Sequence, residues 1–453
     1  MAANWMPTSR ISRAVTPTKL ILEGAGAAAI AKARLLRGGD TAEMTADLAA
    51  DPRLARTAER LARELGEMKG AAMKLGQILS FIDVGMLPPA YRDAFAALQA
   101  DAPPMPYEMV EQVIESELGA PPEELFTHFS RQPIASASIG QVHMAHRGGE
   151  ELVLKVQYPG VTKAIESDLR NAALFALLAR VVGRLLAGIA GKIDTTAVIE
   201  ELRTRITEEL DYRIEARNQQ AFAELWRDDP AVHVPEVVPE LSTKRVLTSR
   251  YADGNRWQYA LEAPSELRNR WGTAIARFQW VSLFRDGFTN LDPHPGNYLF
   301  HEDGTVTFLD FGACQRFDAS QLDRLAGLID AVVVGSDEAI VAALVEFGLV
   351  SSPGSKAFDH TLITRPVRLA VEPAMHDEQP FRFTRSFVAD QVGQAVRLRF
   401  GTDELRLLQQ LDVPVELPMV LRITLGTAGI LSQLDTAVDF RAVIDEALAR
   451  PIH

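Results

Sequence analysis

DGFTNLDPHPGNYLFHEDGTVTFLDFG, residues 286–312, is the stretch whose reading decides the fold. Asp292 is followed by Asn297 five positions on. The Asp310-Phe311-Gly312 triplet comes later, its acid eighteen positions after Asp292. Asn297–His301 and Thr305–Leu309 alternate in polarity around Glu302-Asp303-Gly304, so the pattern predicts a β-hairpin. Asp-Phe-Gly alone arises easily by chance. D-x-x-x-x-N, then a turn, then D-F-G in register is far more specific than an ordinary hairpin with surface acids.

That order of acid, amide and acid is the one kinase-type phosphoryl-transfer sites use to hold metal and nucleotide. It puts Asp292 at the catalytic-base position. Asn297 and Asp310 would supply oxygen ligands to Mg²⁺ beside ATP, since a hard cation prefers oxygen.

Upstream, Ser265 is a plausible N-cap for a helix running to about Arg285. Trp271 and Phe278 share one face of it, and Trp280 and Phe284 lie roughly opposite, so both sides are expected to be buried. Downstream, Cys314 reads as a small buried residue. A helix follows almost at once, with Asp318 or Ser320 as its N-cap. No A-P-E motif follows the D-F-G, which argues against the peptide platform of an ordinary protein kinase. Residues 321–450 read as mostly helical, with breaks at Pro366, Pro373 and Pro380. The helix expected over 417–435 is apolar with an embedded Arg422.

Before this region, the text from about Phe129 reads as strands. Val142–His146 and Glu151–Gln157 form a hairpin around Gly148-Gly149. Lys155 in its second strand is the candidate for contacting ATP phosphates. The preceding loop, Ala135–Gln141, would cover the phosphates. It is built from Ala135, Ser136, Ala137, Ser138, Ile139 and Gly140, small residues for the most part that let backbone N–H groups approach. Glu208, Asp211 and Glu215 are spaced as a stripe on one helix. Glu215 could reach back to Lys155, and the plainer reading is a charged surface paired with Arg213 and Arg217. Residues 249–255 read as a connector that would bind adenine through its backbone. Residues 41–80 are helical in pattern and end with Lys74 and Gln77 at i and i+3. Spacing alone makes that segment a solvated amphipathic helix.

Length and composition set the bounds. The chain has 453 residues, 47% hydrophobic and 24% charged, an ordinary globular mix. Its net charge of −13 argues against nucleic acid as a partner. A single cysteine excludes an intrachain disulfide. No apolar run is long enough to span a bilayer. The first residues carry Arg10, Arg13 and Lys19 with no acid before Glu23. A transit peptide would read so, and a fraying helical start reads so too.

Taken together these residues resemble the UbiB family of atypical protein-kinase-like proteins, from about residue 10 to residue 435. The motifs are Lys74-Leu75-Gly76-Gln77 (K-x-G-Q), the run from Ala135 to His143, Glu209-Leu210-Asp211 (E-x-D) followed by Glu215, Asp292–Asn297, and Asp310–Gly312. The resemblance implies an α+β, bilobal protein-kinase-like fold. Its N-lobe would be a small antiparallel sheet and its C-lobe helical. An added N-terminal helical region would cover the active site. The domains would be 1–128, 129–251 and 252–453. Lys74 would face the phosphates and pair with Glu209 and Asp211, with Gln77 beside it, excluding a peptide. The implied function is Mg-ATP turnover between lobes in support of quinone or isoprenoid-lipid biosynthesis. Partners would be lipid-pathway enzymes and a membrane surface, the cytoplasmic side of a bacterial inner membrane or the mitochondrial matrix side. The alternatives are a phosphotransferase acting on a small molecule or lipid, and a nucleotide-gated scaffold without turnover.

Overall fold

The computed structural model describes residues 105–449 apart from 138, 164, 166–203, 205–206, 350–359, 389–390 and 392–415. The expected helix over 41–80, and with it the N-terminal cover, lies outside the described residues. The chain divides into two compact units. Among the described residues, the first holds the segments up to Arg217 and Glu236–Tyr251. The second holds Asn218–Pro235 and the chain from Ala252 onward.

The first unit opens with α1 (Tyr107–Leu118), whose Val110, Val113 and Ile114 fall on one face and are buried. It stops at Gly119, which takes a left-handed φ of 85° and donates its N–H to the Glu115 carbonyl, a conformation glycine adopts without Cβ strain. Next come α2 (Pro122–Leu125), β1 (His128–Phe129), β2 (Ala135–Ala137), β3 (Gly140–Arg147), β4 (Glu150–Gln157) and, later in the chain, β6 (Val246–Arg250). They form one antiparallel sheet of order β1-β3-β4-β6, with β2 also on β3. The β3–β4 hairpin turns on Gly148 and Gly149, both at positive φ, as its sequence predicts. Leu152, Leu154 and Val156 point inward from β4 and meet Val110 and Ile114 of α1 in the core. Strand alternation therefore puts Lys155 on the opposite face.

The segment 135–141 is a correction to the sequence reading. Ala135–Ala137 is strand rather than loop, paired to Val142, Gln141 and Gly140. Small residues suit a strand that must fold straight back on its neighbour. The stripe Glu208, Asp211, Glu215 is a second correction. Helical backbone covers 207–209, breaks at Leu210, and restarts as α3 (Tyr212–Leu225). The cause is local: the Asp211 carboxylate accepts the Arg213 backbone N–H at 3.1 Å, the side-chain-to-backbone bond that starts helices rather than continues them.

The second unit is built around α5 (Ser265–Phe284), after β5 (Val232–His233) and the short α4 (Trp257–Glu262). Trp271, Phe278, Trp280 and Phe284 of α5 are all buried, so it is enclosed on both sides as expected. Its N-cap is Pro264, with no side-chain cap, and Ser265 stands one place inside. A proline there pre-sets the entry φ. The following strands are β7 (Phe288–Asn290), β8 (Tyr298–Phe300), β9 (Val306–Phe308) and β10 (Cys314–Arg316). β8 and β9 pair antiparallel, with β5 parallel to β9, and β7 pairs antiparallel with β10. Phe278 stacks on Phe308 at 3.7 Å between ring centroids, which fastens the hairpin to α5.

Further helices among the described residues are α6 (Ala319–Val334), α7 (Asp337–Glu346), α8 (His360–Met375), α9 (Glu416–Gln433) and α10 (Phe440–Leu448), with β11 (Phe381–Arg382) paired to β12 (Ala437–Val438). Asp318 caps α6 in a reciprocal box with Gln321. Pro366 and Pro373 do not break the chain: α8 runs through both. Its packing against α7 and α10 offsets the backbone bonds that each proline removes.

Candidate functional site

The expected hairpin is present, each strand shorter by one residue at each end, with Tyr298 opposite Phe308 and Phe300 opposite Val306. Gly304 closes the turn at φ +93°. Both ends carry the candidate residues. Asn297 precedes β8, and Asp310 follows β9. The Leu309 backbone N–H donates to the Asn297 carbonyl at 3.0 Å, so the two ends are tied across.

The Asp292 carboxylate is held oxygen by oxygen. Asn297 Nδ2 donates to Asp292 Oδ2 at 3.1 Å, and Arg422 Nη2 donates to Oδ1 at 3.0 Å. Arg422 Nε also donates to the Leu291 carbonyl. This explains the arginine embedded in the apolar α9. A charge that leaves water needs a partner, and here the partner is the candidate catalytic acid. One turn further on, Gly426 faces the same loop. A Cβ there would stand 2.5 Å from Pro293 Cγ, so α9 approaches the D-P-H-P-G-N loop as only glycine allows. The sequence signals Arg422 as needing an acid but does not say which one.

The Asp310-Phe311-Gly312 turn is anchored by its phenylalanine. Phe311 is fully buried, 5.1 Å from Phe222, and its carbonyl accepts from Asn218 Nδ2 at 3.0 Å. Asp310 Oδ1 accepts the Gly312 N–H at 3.0 Å, which orients the carboxylate. Cys314 is buried, and its thiol points at the Phe311 carbonyl. A residue the sequence reading passed over, Asn290, bonds to both Asp292 and Asp310.

These residues fit a hard cation. Asn297 turns its Nδ2 end to Asp292, which leaves the amide oxygen as the end available to a metal. With Asp310 that makes one amide oxygen and one carboxylate. Mg²⁺ is commonly bound by one or two such groups, with substrate phosphates and water completing its shell. Among the described residues there is no cluster of three or more His, Cys, Asp or Glu, so no all-protein metal cage competes with this arrangement.

In the first unit, Lys155 Nζ lies 2.8 and 3.0 Å from the two Glu215 oxygens. The side chains are 17% and 6% exposed, so this is a mostly buried, bidentate ion pair and not an exposed strand lysine. The Tyr212 ring stands 5.2 Å from the ammonium, adding cation–π attraction. Ala135, Ser136 and Ala137 are half-buried or exposed on β2, while Ile139 is buried in the core. Gly140 is required for space: any Cβ would strike the Val156 carbonyl. Gln141 and His143 also have structural partners. Gln141 Oε1 accepts from the Met105 N–H at 2.8 Å. His143 sits between the Gln141 amide and the Ser130 carbonyl, each at 2.8 Å. Burial lowers the His143 pKa.

The other candidates are only partly placed. Asp211 pairs with Arg213, its oxygens 2.9 and 2.6 Å from Nε and Nη2. Those hydrogen bonds hold its carboxyl below the usual carboxylate range. Glu209 is half-buried at the end of the 207–209 turn. Lys74, Gln77 and Ser138 lie outside the described residues, and so do any contacts Lys74 makes with Glu209 and Asp211.

Comparison with known proteins agrees with this geometry. The profile of the ABC1 atypical kinase-like domain matches residues 97–344. The mitochondrial atypical kinase COQ8B of Danio rerio is 31% identical over 357 residues, covering 78% of this chain and 56% of that protein. The mitochondrial atypical kinase COQ8 of Saccharomyces cerevisiae is 31% identical over 391 residues, covering 85% of this chain and 75% of that protein. The chain thus spans between about half and three quarters of the length of these relatives. Rv3197 of Mycobacterium tuberculosis, solved as a complex with erythromycin, superposes with a TM-score of 0.62 at 31% identity. The match covers 91% of this chain and all of that one. The fold is protein-kinase-like, of the α+β class.

Proposed function

The chain belongs to the UbiB family of ABC1 atypical kinase-like proteins, and from that premise we propose that it binds Mg-ATP and turns it over as an atypical kinase-like ATPase. The observation that carries this reading is the Asp292 carboxylate fixed between Asn297 and Arg422, with Asp310 tied to the same loop. Phosphoryl transfer asks the protein mainly to position groups and neutralise charge, and an oriented carboxylate beside two oxygen ligands suits that demand.

In this reading Lys155 contacts ATP phosphates and Glu215 aims its ammonium. The segment Ala135–Gly140 brings backbone N–H groups to the nucleotide. Asn297 and Asp310 would hold Mg²⁺, whose charge would neutralise phosphate oxygens. Asp292 orients the acceptor, which is water in the ATPase reading. Lys74 with Gln77 would cover the site and pair with Glu209 and Asp211. A peptide platform is missing from the sequence: α6 begins at Ala319, soon after Gly312. That supports a substrate other than protein.

The physiological role in this reading is support of quinone or isoprenoid-lipid biosynthesis, with pathway enzymes as partners, at the surface of a bacterial inner membrane or its mitochondrial counterpart. Surface attachment needs no spanning segment, and among the described residues no helix is long and apolar enough to cross a membrane. Mg-ATP affinity and phosphate release in Asp310→Asn test the site. A loss of about tenfold or more is expected for a metal ligand, and unchanged values would sink the proposal. Adding liposomes with quinone-precursor mimics should raise the rate of the wild type.

The erythromycin complex of the M. tuberculosis neighbour favours a second reading, in which a bulky small molecule accepts the phosphoryl group. Labelled ATP with extracted lipids separates the two, because a stoichiometric phosphorylated product would displace the ATPase reading.

A further inference from the structure

Asn290 ends β7, where the chain turns into the D-P-H-P-G-N loop. It is 5% exposed and stands opposite Cys314 of β10 in the antiparallel pair. Its amide spans two segments. Nδ2 donates to the Asp310 carbonyl at 2.6 Å, and Oδ1 accepts the Asp292 backbone N–H at 2.8 Å. One neighbour can only accept and the other can only donate, so a single amide orientation satisfies both. A carboxylate in its place would set an oxygen against the Asp310 carbonyl. An apolar residue would leave two buried backbone groups unpaired.

The two neighbours are the candidate acceptor-orienting acid and a candidate metal ligand. We propose that Asn290 is a positioning residue: its amide sets the spacing between Asp292 and Asp310, and thereby the geometry that Asp310 and Asn297 offer to a metal-bound nucleotide. The role complements the backbone tie from Leu309 to Asn297. That tie fixes the hairpin ends, whereas Asn290 fixes the loop entrance against the D-F-G turn. This inference rests on the reading of Asn297 and Asp310 as the Mg²⁺ site.

Asn290→Asp keeps the acceptor for Asp292 and removes the donor for Asp310, and Asn290→Ser is a milder change that cannot serve both neighbours. Thr289→Val is the control. Thr289 is buried on the same strand, and its hydroxyl faces Gln279 at 3.3 Å, away from both acids. The full chain is titrated with ATP in the presence of Mg²⁺ and again with a chelator, and melting temperature is recorded for each variant. The ratio of the two affinities measures how strongly metal and nucleotide binding are coupled.

The Asn290 variants should lower that ratio by about tenfold, the scale seen when an outer partner of a metal ligand is lost. Affinity for metal-free ATP should stay close to wild type. Thr289→Val should leave the ratio unchanged at a comparable melting temperature. A wild-type ratio in Asn290→Asp or Asn290→Ser overturns the positioning role. So does an equal effect in Thr289→Val, or unfolding of both Asn290 variants, since each makes the residue a fold determinant only. Asp310→Asn run alongside separates the two failures. If it abolishes the coupling while the Asn290 variants do not, the Mg²⁺ site stands and the positioning role falls. If Asp310→Asn leaves the coupling intact, the site reading fails and the Asn290 role falls with it.

Discussion

Two charged groups in this protein reach a similar end by different routes. In the first unit, Lys155 and Glu215 are 60 residues apart and meet because a strand and a helix bring them together. In the second, Asp292, Asn297 and Asp310 lie within one hairpin and its approach, and their separation is largely set by a local turn. The lysine–glutamate pair is mostly buried, so each charge depends on the other. The hairpin acids are half-buried and are oriented by hydrogen bonds from Arg422, Asn297 and the Gly312 backbone N–H. A pair made at long range is sensitive to loss of either member. A site made locally is sensitive to its anchors.

The largest stability effect should come from the anchor of the hairpin region. Phe311→Ala removes a fully buried ring packed on Phe222 and should cost about 4 kcal/mol. Urea unfolding would measure it, and a loss under about 1 kcal/mol would mean that the D-F-G turn is held by its hydrogen bonds alone. Lys155→Met comes next. It removes the bidentate partner of the mostly buried Glu215 carboxylate and should cost about 3 kcal/mol. Adding Glu215→Leu should restore most of that stability, while Mg-ATP affinity stays low. A double mutant no better than the single would break the contrast between the two regions.

Gly426→Ala tests whether α9 must approach the loop closely. The added methyl meets Pro293, and overpacking of this kind should cost about 2 kcal/mol. Its turnover should fall further than that of Gly429→Ala, on the same helix, where an added Cβ meets nothing within 4 Å.

The smallest expected effect is electrostatic and involves none of the candidate site residues. Arg277 bonds to Asp229 at 2.8 Å and to Glu446 at 2.7 Å. Burial pushes the Asp229 carboxyl up, but hydrogen bonds from Arg277 and the Ala231 N–H more than offset it and hold the carboxyl below its ordinary 3.8. A carboxyl depressed by folding stabilises above its unfolded value, and that stability is lost as pH falls through the folded one. Asp229→Asn should therefore cost about 1 kcal/mol at neutral pH and flatten the acid limb below about pH 4. An unchanged acid limb would mean that Glu446 alone carries the pair.

Much of this organisation was legible because it is local. The 292–310 hairpin, the glycine turn at 148–149, the enclosed α5 and the Asp318 cap each follow from spacing and turn chemistry within a few residues. One error was local, an N-capping aspartate that reads like a surface acid, and another arose where packing decides. Asp211 breaks the expected helical stripe by bonding to the backbone N–H of Arg213. Pro366 and Pro373 sit inside α8 because α7 and α10 pack on it. Asn290 carries no sequence signal, since an asparagine before a loop is ordinary. Its two partners become visible only when β7 lies beside β10.

By itself the sequence determined the identity of the chemical groups and their order: the acid, amide and acid of the hairpin, and the strand lysine. It also determined the turns, because turn geometry depends on a few adjacent residues. Only the tertiary structure decided which charge meets which. Arg422 finds Asp292 across 130 residues, Glu215 finds Lys155, and Gly426 admits Pro293. Buried charges must pair and close-packed backbones must fit. Those demands are general, and only the folded chain assigns their partners.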